Sequence, residues 1–199
     1  MRPTRPRVNI PEGGLVPCVV QHSDTGRVLM LAYMDAEALD ATVETGLGHF
    51  HSRSRGRLWK KGESSGNVLA VTSLASDCDG DAILMLALPA GPTCHTGAES
   101  CFDAAAPALC DLAGTIAERA ASGNGGSYVA RLLGEQRESR QRKVGEEAVE
   151  TVLARPGSDH LVSEVADLWF HSMVLLQGDG RDPLAPLAEL GRRRRDPAV

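Results

Sequence analysis

The sequence predicts two domains of different class. Residues 1–102 read as an α+β, β-rich domain, residues 109–199 as an all-α domain, and residues 103–108 as the linker between them. Three observations carry this. Up to residue 102 the apolar residues come in short runs with β-branched members, broken by Gly, Asp and Ser. Beyond it they recur at the spacing of a helix face. Between the two lies Asp103-Ala104-Ala105-Ala106-Pro107-Ala108, a stretch of small residues.

In chain order, the runs from Leu15 to Val20, Val28 to Tyr33, Val68 to Ser73 and Ala82 to Leu88 predict strands. His22-Ser23-Asp24-Thr25-Gly26 is a turn signal that joins the first two as a hairpin. Residues 35–44 predict the one helix of this half, with Asp35 as N-cap and Gly46 as its stop. The stretch from His49 to Gly66 is dense in Arg, Lys, Ser and Gly and reads as a basic loop. In the second half, Leu109, Leu112, Ile116 and Ala120 mark a helix that stops near Gly123-Asn124-Gly125-Gly126. A second helical stretch runs from Ser127 to Ala154 with a break at Gly134, and Pro156-Gly157 ends it. A third runs from Ser158 to Gln177, and Pro183 to Leu190 suit a short last helix.

Composition bounds the function. A hydrophobic share of 42% supports buried cores, while aromatics at 4% leave Leu, Val and Ala to fill them. The net charge of −5 is spread over both halves, so neither is a nucleic-acid-binding basic block. The run Arg192-Arg193-Arg194-Arg195 reads as a solvated tail. No window of about 18 apolar residues is present, so no membrane span is expected. The N-terminal stretch is basic without an apolar core, so no secretory signal is expected, and five cysteines suit reduced thiols in the cytoplasm.

The chemistry concentrates between Asp77 and Cys101. Asp77, Asp79 and Asp81 alternate with Cys78 and Gly80, and Cys94, His95 and Cys101 follow on a loop rich in Gly, Pro and Thr. Carboxylates suit a hard cation such as Mg²⁺, and thiolates suit Zn²⁺. Three thiolates leave a fourth tetrahedral position for water, as a catalytic zinc needs; with His95 as a fourth ligand the zinc would be structural. If residues 77–81 are extended, the Asp side chains share one face and Cys78 points to the other. Cys18 and Cys110 lack such surroundings and read as packing residues. Arg53, Arg55, Lys61 and Ser65 of the basic loop suit a phosphate, through guanidinium forks and hydroxyls.

Ser52-Arg53-Ser54-Arg55, Leu58-Trp59, Lys61-Gly62-Glu63-Ser64-Ser65-Gly66-Asn67, Asp77-Cys78-Asp79-Gly80-Asp81, Gly91-Pro92-Thr93-Cys94-His95-Thr96-Gly97 and Ser100-Cys101-Phe102 together resemble the phosphoribosyl-AMP cyclohydrolases of histidine biosynthesis. The resemblance runs over about residues 10–102 and implies a cyclohydrolase domain at 1–102. It implies hydrolytic opening of the adenine ring between N1 and C6. It further implies Zn²⁺ on Cys78, Cys94 and Cys101, Mg²⁺ on Asp77, Asp79 and Asp81, and a homodimer whose zinc site is shared between subunits. Taken with that shared zinc site, Cys78 is expected to lie too far from Cys94 and Cys101 to share one zinc ion within a chain. His95 is then a candidate proton shuttle, and Arg53, Arg55, Trp59, Lys61 and Ser65 are candidate substrate contacts.

The helical half carries a second acidic pattern. Glu147 and Glu150 are three apart and share a helix face, as do Glu164 and Asp167 on the next helix. If those helices pack antiparallel, four carboxylates converge, and their repulsion calls for a divalent cation. Arg137, Arg140, Arg142 and Lys143 precede them. They suit either a polyphosphate substrate or pairing with Glu135, Glu138 and Glu146.

Ser127-Tyr128-Val129-Ala130-Arg131-Leu132-Leu133, the run from Lys143 to Glu150, and Glu164-Val165-Ala166-Asp167-Leu168 resemble phosphoribosyl-ATP pyrophosphatase, a family of all-α nucleotide pyrophosphohydrolases, over about residues 109–190. The implied domain spans 109–199. The implied reaction hydrolyses the α–β phosphoanhydride of phosphoribosyl-ATP, with Mg²⁺ on Glu147, Glu150, Glu164 and Asp167 and Lys143 on substrate. Glu146 and Glu147 are the candidates that orient the attacking water. Two other readings stay open. One keeps the cyclohydrolase and makes the helical half a general nucleotide-pyrophosphate hydrolase; the other makes the protein a non-catalytic zinc-stabilised nucleotide-binding module.

Overall fold

The computed structural model describes residues 2–102, 105–122 and 126–196. The expected linker residues Asp103 and Ala104, and the expected helix stop at Gly123, Asn124 and Gly125, lie outside the described residues. The chain divides into two compact units, Met1–Pro107 and Ala108–Val199.

The first unit is built on a four-stranded sheet in the order β2-β1-β6-β5, from β1 (Val16–His22), β2 (Val28–Met34), β5 (Leu69–Ser76) and β6 (Ile83–Pro89). β1–β2 and β5–β6 are antiparallel, and the central β1–β6 pair is parallel. Alternation explains which side is core. Val16, Cys18 and Val20 of β1 and Ile83, Met85 and Ala87 of β6 are buried at every second position. In β5 a bulge between Val71 and Ser73 shifts the alternation, so the buried set runs Leu69, Val71, Leu74. Burial pushes the Cys18 thiol up to about 12, which keeps it neutral and suits the packing role.

Helix α1 (Ala36–Thr45) starts where expected, its Ala38 amide donating to Asp35 Oδ1 at 2.8 Å. One expectation fails here. The stretch after it is not a loop throughout: β3 (His49–Ser52) and β4 (Arg57–Lys60) form an antiparallel hairpin. Phe50 and Trp59 pair across it with ring centroids 5.8 Å apart, and Phe50 is fully buried. The many charged residues of the run hid two four-residue strands, whose apolar residues are Phe50 in the first and Leu58 and Trp59 in the second.

A second expectation also fails. Residues 77–81 are not extended. Ser76 and Ile83 are paired partners, so the six residues between them must reverse the chain. They wrap around Asp77, whose Oδ1 accepts from the amides of Gly80 (3.1 Å), Asp81 (3.0 Å) and Ala82 (3.1 Å). Gly80 takes φ +78°, which suits a residue without Cβ, and its carbonyl accepts from the Asn9 amide at 2.8 Å.

The second unit is helical: α2 (Ala108–Ser122), α3 (Tyr128–Gly134), α4 (Arg137–Leu153), α5 (Asp159–Gly178) and α6 (Ala185–Arg195). Its core joins Ala113 and Ile116 of α2, Val129 and Leu132 of α3, and Met173 and Val174 of α5. The break after Gly134 has a physical cause: the Arg140 guanidinium turns inward and donates from Nη1 to the carbonyls of Leu132, Leu133 and Glu135. α4 and α5 run antiparallel, since Arg137 meets Asp179 near one end and Glu147 meets His171 further along. The last helix begins later than expected and runs through the four arginines. They are not a tail, because Glu189 one turn earlier pairs with Arg192 and Arg193, both at 2.7 Å.

Candidate functional site

In the first unit, the loop after β6 brings two of the three expected zinc thiols together. The Cys94 amide donates to Ala98 O at 3.0 Å and the Gly97 amide to Cys94 O at 3.1 Å, which folds residues 94–98 into a tight turn. Ser100 Oγ donates to Val28 O at 2.7 Å and the Cys101 amide to Leu29 O at 2.8 Å, which ties Cys101 to β2. Thr96 Oγ1 donates to Cys94 Sγ at 3.1 Å. That hydrogen bond favours the thiolate and holds the Cys94 thiol below its ordinary range. Cys101 shifts the other way, raised by burial and by the neighbouring Cys94.

These thiols open onto a cleft of about 550 Å³, a size that admits a nucleotide. Its walls include Arg55, Trp59, Lys61, Ser65, Cys94, His95 and Cys101. The His95 ring nitrogen Nδ1 lies 3.8 Å from Cys94 Sγ. Asn67 links the two walls: its side-chain Nδ2 donates to Pro92 O at 3.1 Å. Gly62, at φ +80°, has no room for a side chain, since a Cβ there would stand 2.5 Å from the Asn67 carbonyl carbon. Arg53 is placed apart from the cleft walls, its guanidinium 4.0 Å from the Tyr33 ring centroid.

Asp77, Asp79 and Asp81 each bring a carboxylate oxygen within 4.8 Å of the others, on an exposed loop. The convergence comes from the reversal around Asp77. Backbone donors, led by the Ala82 amide, hold Asp77 below the usual carboxylate range. Asp81 is raised, first by its hydrogen bond with Asp77 and then by the charges of Asp79 and Asp77. A cation would relieve that repulsion, so the donor set fits one. Cys78 is exposed on the same loop. Among the described residues it joins Cys94 and Cys101 in no group of three ligands.

In the second unit, Glu147, Glu164 and Asp167 bring carboxylate oxygens within 4.8 Å of one another, with Glu147 and Glu164 buried. Glu150 adjoins Glu164, and Glu164 is raised by burial and by the charges of Glu150 and Glu147. Buried like charges at this range fit a divalent cation. Lys143 Nζ lies 2.8 Å from Glu146 Oε2 and 3.7 Å from Glu147 Oε1. Lys143 holds Glu146 below its ordinary range, so Glu146 is ionised. Of the basic set, Arg137 pairs with Asp179, Arg140 caps α3, and Arg142 lies 3.6 Å from Glu146. Lys143 is the member of that set that reaches the cluster.

Two residues here escaped the sequence reading. His160 Nδ1 lies 3.0 Å from Glu164 Oε1, and buried His171 Nε2 lies 3.6 Å from Glu147 Oε1. Burial lowers the His171 pKa, which keeps the imidazole neutral. The signal for both was spacing: 160, 164, 167 and 171 fall on one helix face.

Comparison with known proteins agrees with this division. The family described as phosphoribosyl-AMP cyclohydrolase matches residues 30–103, and that described as phosphoribosyl-ATP pyrophosphohydrolase matches residues 109–194. The chain is similar to the histidine biosynthesis bifunctional protein HisIE of Escherichia coli K12, 47% identical over 90% of this chain and 91% of that protein. It is similar to the same protein of Salmonella typhimurium LT2, 48% identical over 82% and 83%. The protein of that name from Staphylococcus aureus Mu50 is 46% identical over 90% and 87%.

Proposed function

The chain belongs to the family of histidine biosynthesis bifunctional proteins, and from that premise we propose which residues perform each of its two hydrolytic steps. The second unit hydrolyses phosphoribosyl-ATP to phosphoribosyl-AMP and pyrophosphate, and the first opens the adenine ring of phosphoribosyl-AMP. We assign 1–102 to the cyclohydrolase, 103–108 to a linker and 109–199 to the pyrophosphohydrolase.

In the helical half, Glu147, Glu150, Glu164 and Asp167 hold Mg²⁺, which when bound neutralises charge on the polyphosphate. Lys143 takes a phosphate oxygen. Glu146, kept ionised beside the cluster, accepts a hydrogen bond from the attacking water and aligns it, with Glu147 as its neighbour in that role. The observation that carries this reading is the convergence of Glu147, Glu164 and Asp167 within 4.8 Å on facing helices.

In the sheet half, Cys94 and Cys101 hold Zn²⁺ together with Cys78 of the partner subunit, and bound Zn²⁺ lowers the pKa of water so that a nucleophile exists at neutral pH. The thiolate character of Cys94 supports this. His95, whose Nδ1 lies 3.8 Å from Cys94 Sγ, would carry a proton to the purine ring nitrogen. Trp59 packs on the nucleotide, Arg55, Lys61 and Ser65 of the cleft walls bind its phosphates, Arg53 stands outside those walls on Tyr33, and Mg²⁺ on Asp77, Asp79 and Asp81 would assist.

A homodimer is supported by the outer face of the sheet. Leu31, Val19, Leu84 and Ala75 stand in register across all four strands, with Leu31 46% and Leu84 38% exposed. Apolar side chains in a row on an open face favour a second copy. The reduced thiols suit the cytoplasm, and among the described residues no helix is long and apolar enough to cross a membrane.

The test supplies phosphoribosyl-ATP and, separately, ordinary nucleoside triphosphates, and follows pyrophosphate. Release from phosphoribosyl-ATP alone, followed by ring opening, is expected. Equal turnover of ordinary triphosphates would contradict the assignment and favour a general nucleotide pyrophosphohydrolase.

A further inference from the structure

Behind the carboxylate cluster of the helical unit sits a residue with no part in the chemistry above. His171 is 6% exposed, deeper than any residue of the cluster. Two rings clamp its imidazole: Tyr128 of α3 edge-on at 5.8 Å and 85°, and Phe170 at 5.1 Å and 74°. Phe170 in turn packs on the core of the unit, and Ser127 caps the start of α3, its Oγ accepting from the Ala130 amide, so the clamp stands on packed and capped elements. The imidazole sits between these two rings, and its Nε2 lies 3.6 Å from Glu147 Oε1. Lys143 Nζ approaches the same oxygen at 3.7 Å from the neighbouring turn of α4. Both groups approach the same oxygen, so both are placed to act on the rotation of the Glu147 carboxylate.

We propose that His171 is a positioning residue of the pyrophosphohydrolase site, which grips Glu147 Oε1 from the core side and fixes that carboxylate for a divalent cation. The separation is a few tenths of an ångström beyond hydrogen-bond length, so a small side-chain adjustment of Glu147 closes it. A buried carboxylate that must be oriented among like charges gains most from such a partner, and partners of this kind govern metal affinity in metal sites generally. The inference rests on the reading of Glu147, Glu164 and Asp167 as a metal site.

The test titrates Mn²⁺ alone, read by its electron paramagnetic resonance signal, into the full chain carrying Asp79→Asn and Asp81→Asn to silence the N-terminal carboxylates. His171→Phe keeps an aromatic ring in the clamp and removes the nitrogens. His171→Gln keeps a donor and removes the ring. His171→Phe is expected to weaken Mn²⁺ binding about tenfold. Its metal-free melting temperature should stay close to the parent's, and saturating Mn²⁺ should restore most of the pyrophosphate release. His171→Gln should retain part of the affinity that His171→Phe loses. In a Glu147→Gln background, His171→Phe should cost no further affinity, because its action passes through Glu147.

Parental Mn²⁺ affinity in His171→Phe overturns the proposal. So does an additive loss on top of Glu147→Gln, or a metal-free melting temperature that falls by the same amount in both variants, which marks a packing role. If Glu147→Gln itself leaves Mn²⁺ binding unchanged, the metal-site reading fails and the inference fails with it. If Glu147→Gln weakens binding while His171→Phe does not, the inference alone fails.

Discussion

Glu164 carries the clearest conflict between folding and function. Buried among Glu150 and Glu147, it has a folded-state pKa above the ordinary 4.5. A carboxyl raised by folding binds its proton more tightly in the native state. The metal-free protein therefore gains stability as pH falls through the folded pKa, and loses it as pH rises from 4.5 through that value. Glu164→Gln removes the repulsion, so the metal-free melting temperature at neutral pH should rise. The same change should abolish the Mg²⁺-dependent increase expected of the parent, which at a hundred times Kd amounts to about 2.7 kcal/mol. Calorimetry with and without Mg²⁺ checks both signs; a lower metal-free melting temperature in the variant would contradict the site. The acidic face was legible from the spacing 147, 150, 164 and 167. The histidines on that face were not, because a lone His at helical spacing is more often simply packed in a core.

Among the elements, those with one dominant apolar period were readable. Four sheet strands, the α1 caps and the long helices follow directly from their patterns. The β3–β4 hairpin was not, since its strands hold only Phe50, Leu58 and Trp59 as apolar residues among histidines and basic side chains. The Asp77–Ala82 reversal was hidden for another reason. Alternating Asp residues look like a pleat, and only the pairing of Ser76 with Ile83 makes a turn obligatory. The turn from Lys61 to Asn67 gives an element-scale prediction. Gly62→Ala forces a Cβ against the Asn67 backbone at positive φ. It should destabilise the first unit by about 2 kcal/mol or more. Urea denaturation through Trp59 fluorescence in a Trp169→Phe background measures this. Parental stability would show that Asn67 shifts freely and does not brace the cleft.

For the whole molecule, the shared zinc site is the proposal to test, since among the described residues Cys78, Cys94 and Cys101 form no group of three ligands within one chain. In the proposed homodimer, two copies related by closed twofold symmetry would each supply Cys78 to the other's Cys94 and Cys101. Cys78→Ala and Cys94→Ala should each lose ring opening. Co-refolded in equal amounts, they should recover about a quarter of parental activity, since half the dimers are mixed and each mixed dimer keeps one intact site. No recovery would mean each chain builds its zinc site alone.

The central claim is two separate hydrolytic sites on one chain, each with its own ligand set. The direct measurement incubates the full chain with phosphoribosyl-ATP, Zn²⁺ and Mg²⁺ and follows pyrophosphate release and ring opening as separate signals. Cys94→Ala should release pyrophosphate at the parental rate and accumulate phosphoribosyl-AMP with its ring closed. Glu147→Gln should release pyrophosphate at least about a hundredfold more slowly, yet open the ring of supplied phosphoribosyl-AMP at the parental rate. Loss of both signals in either variant, with its fold intact, would contradict two separate sites.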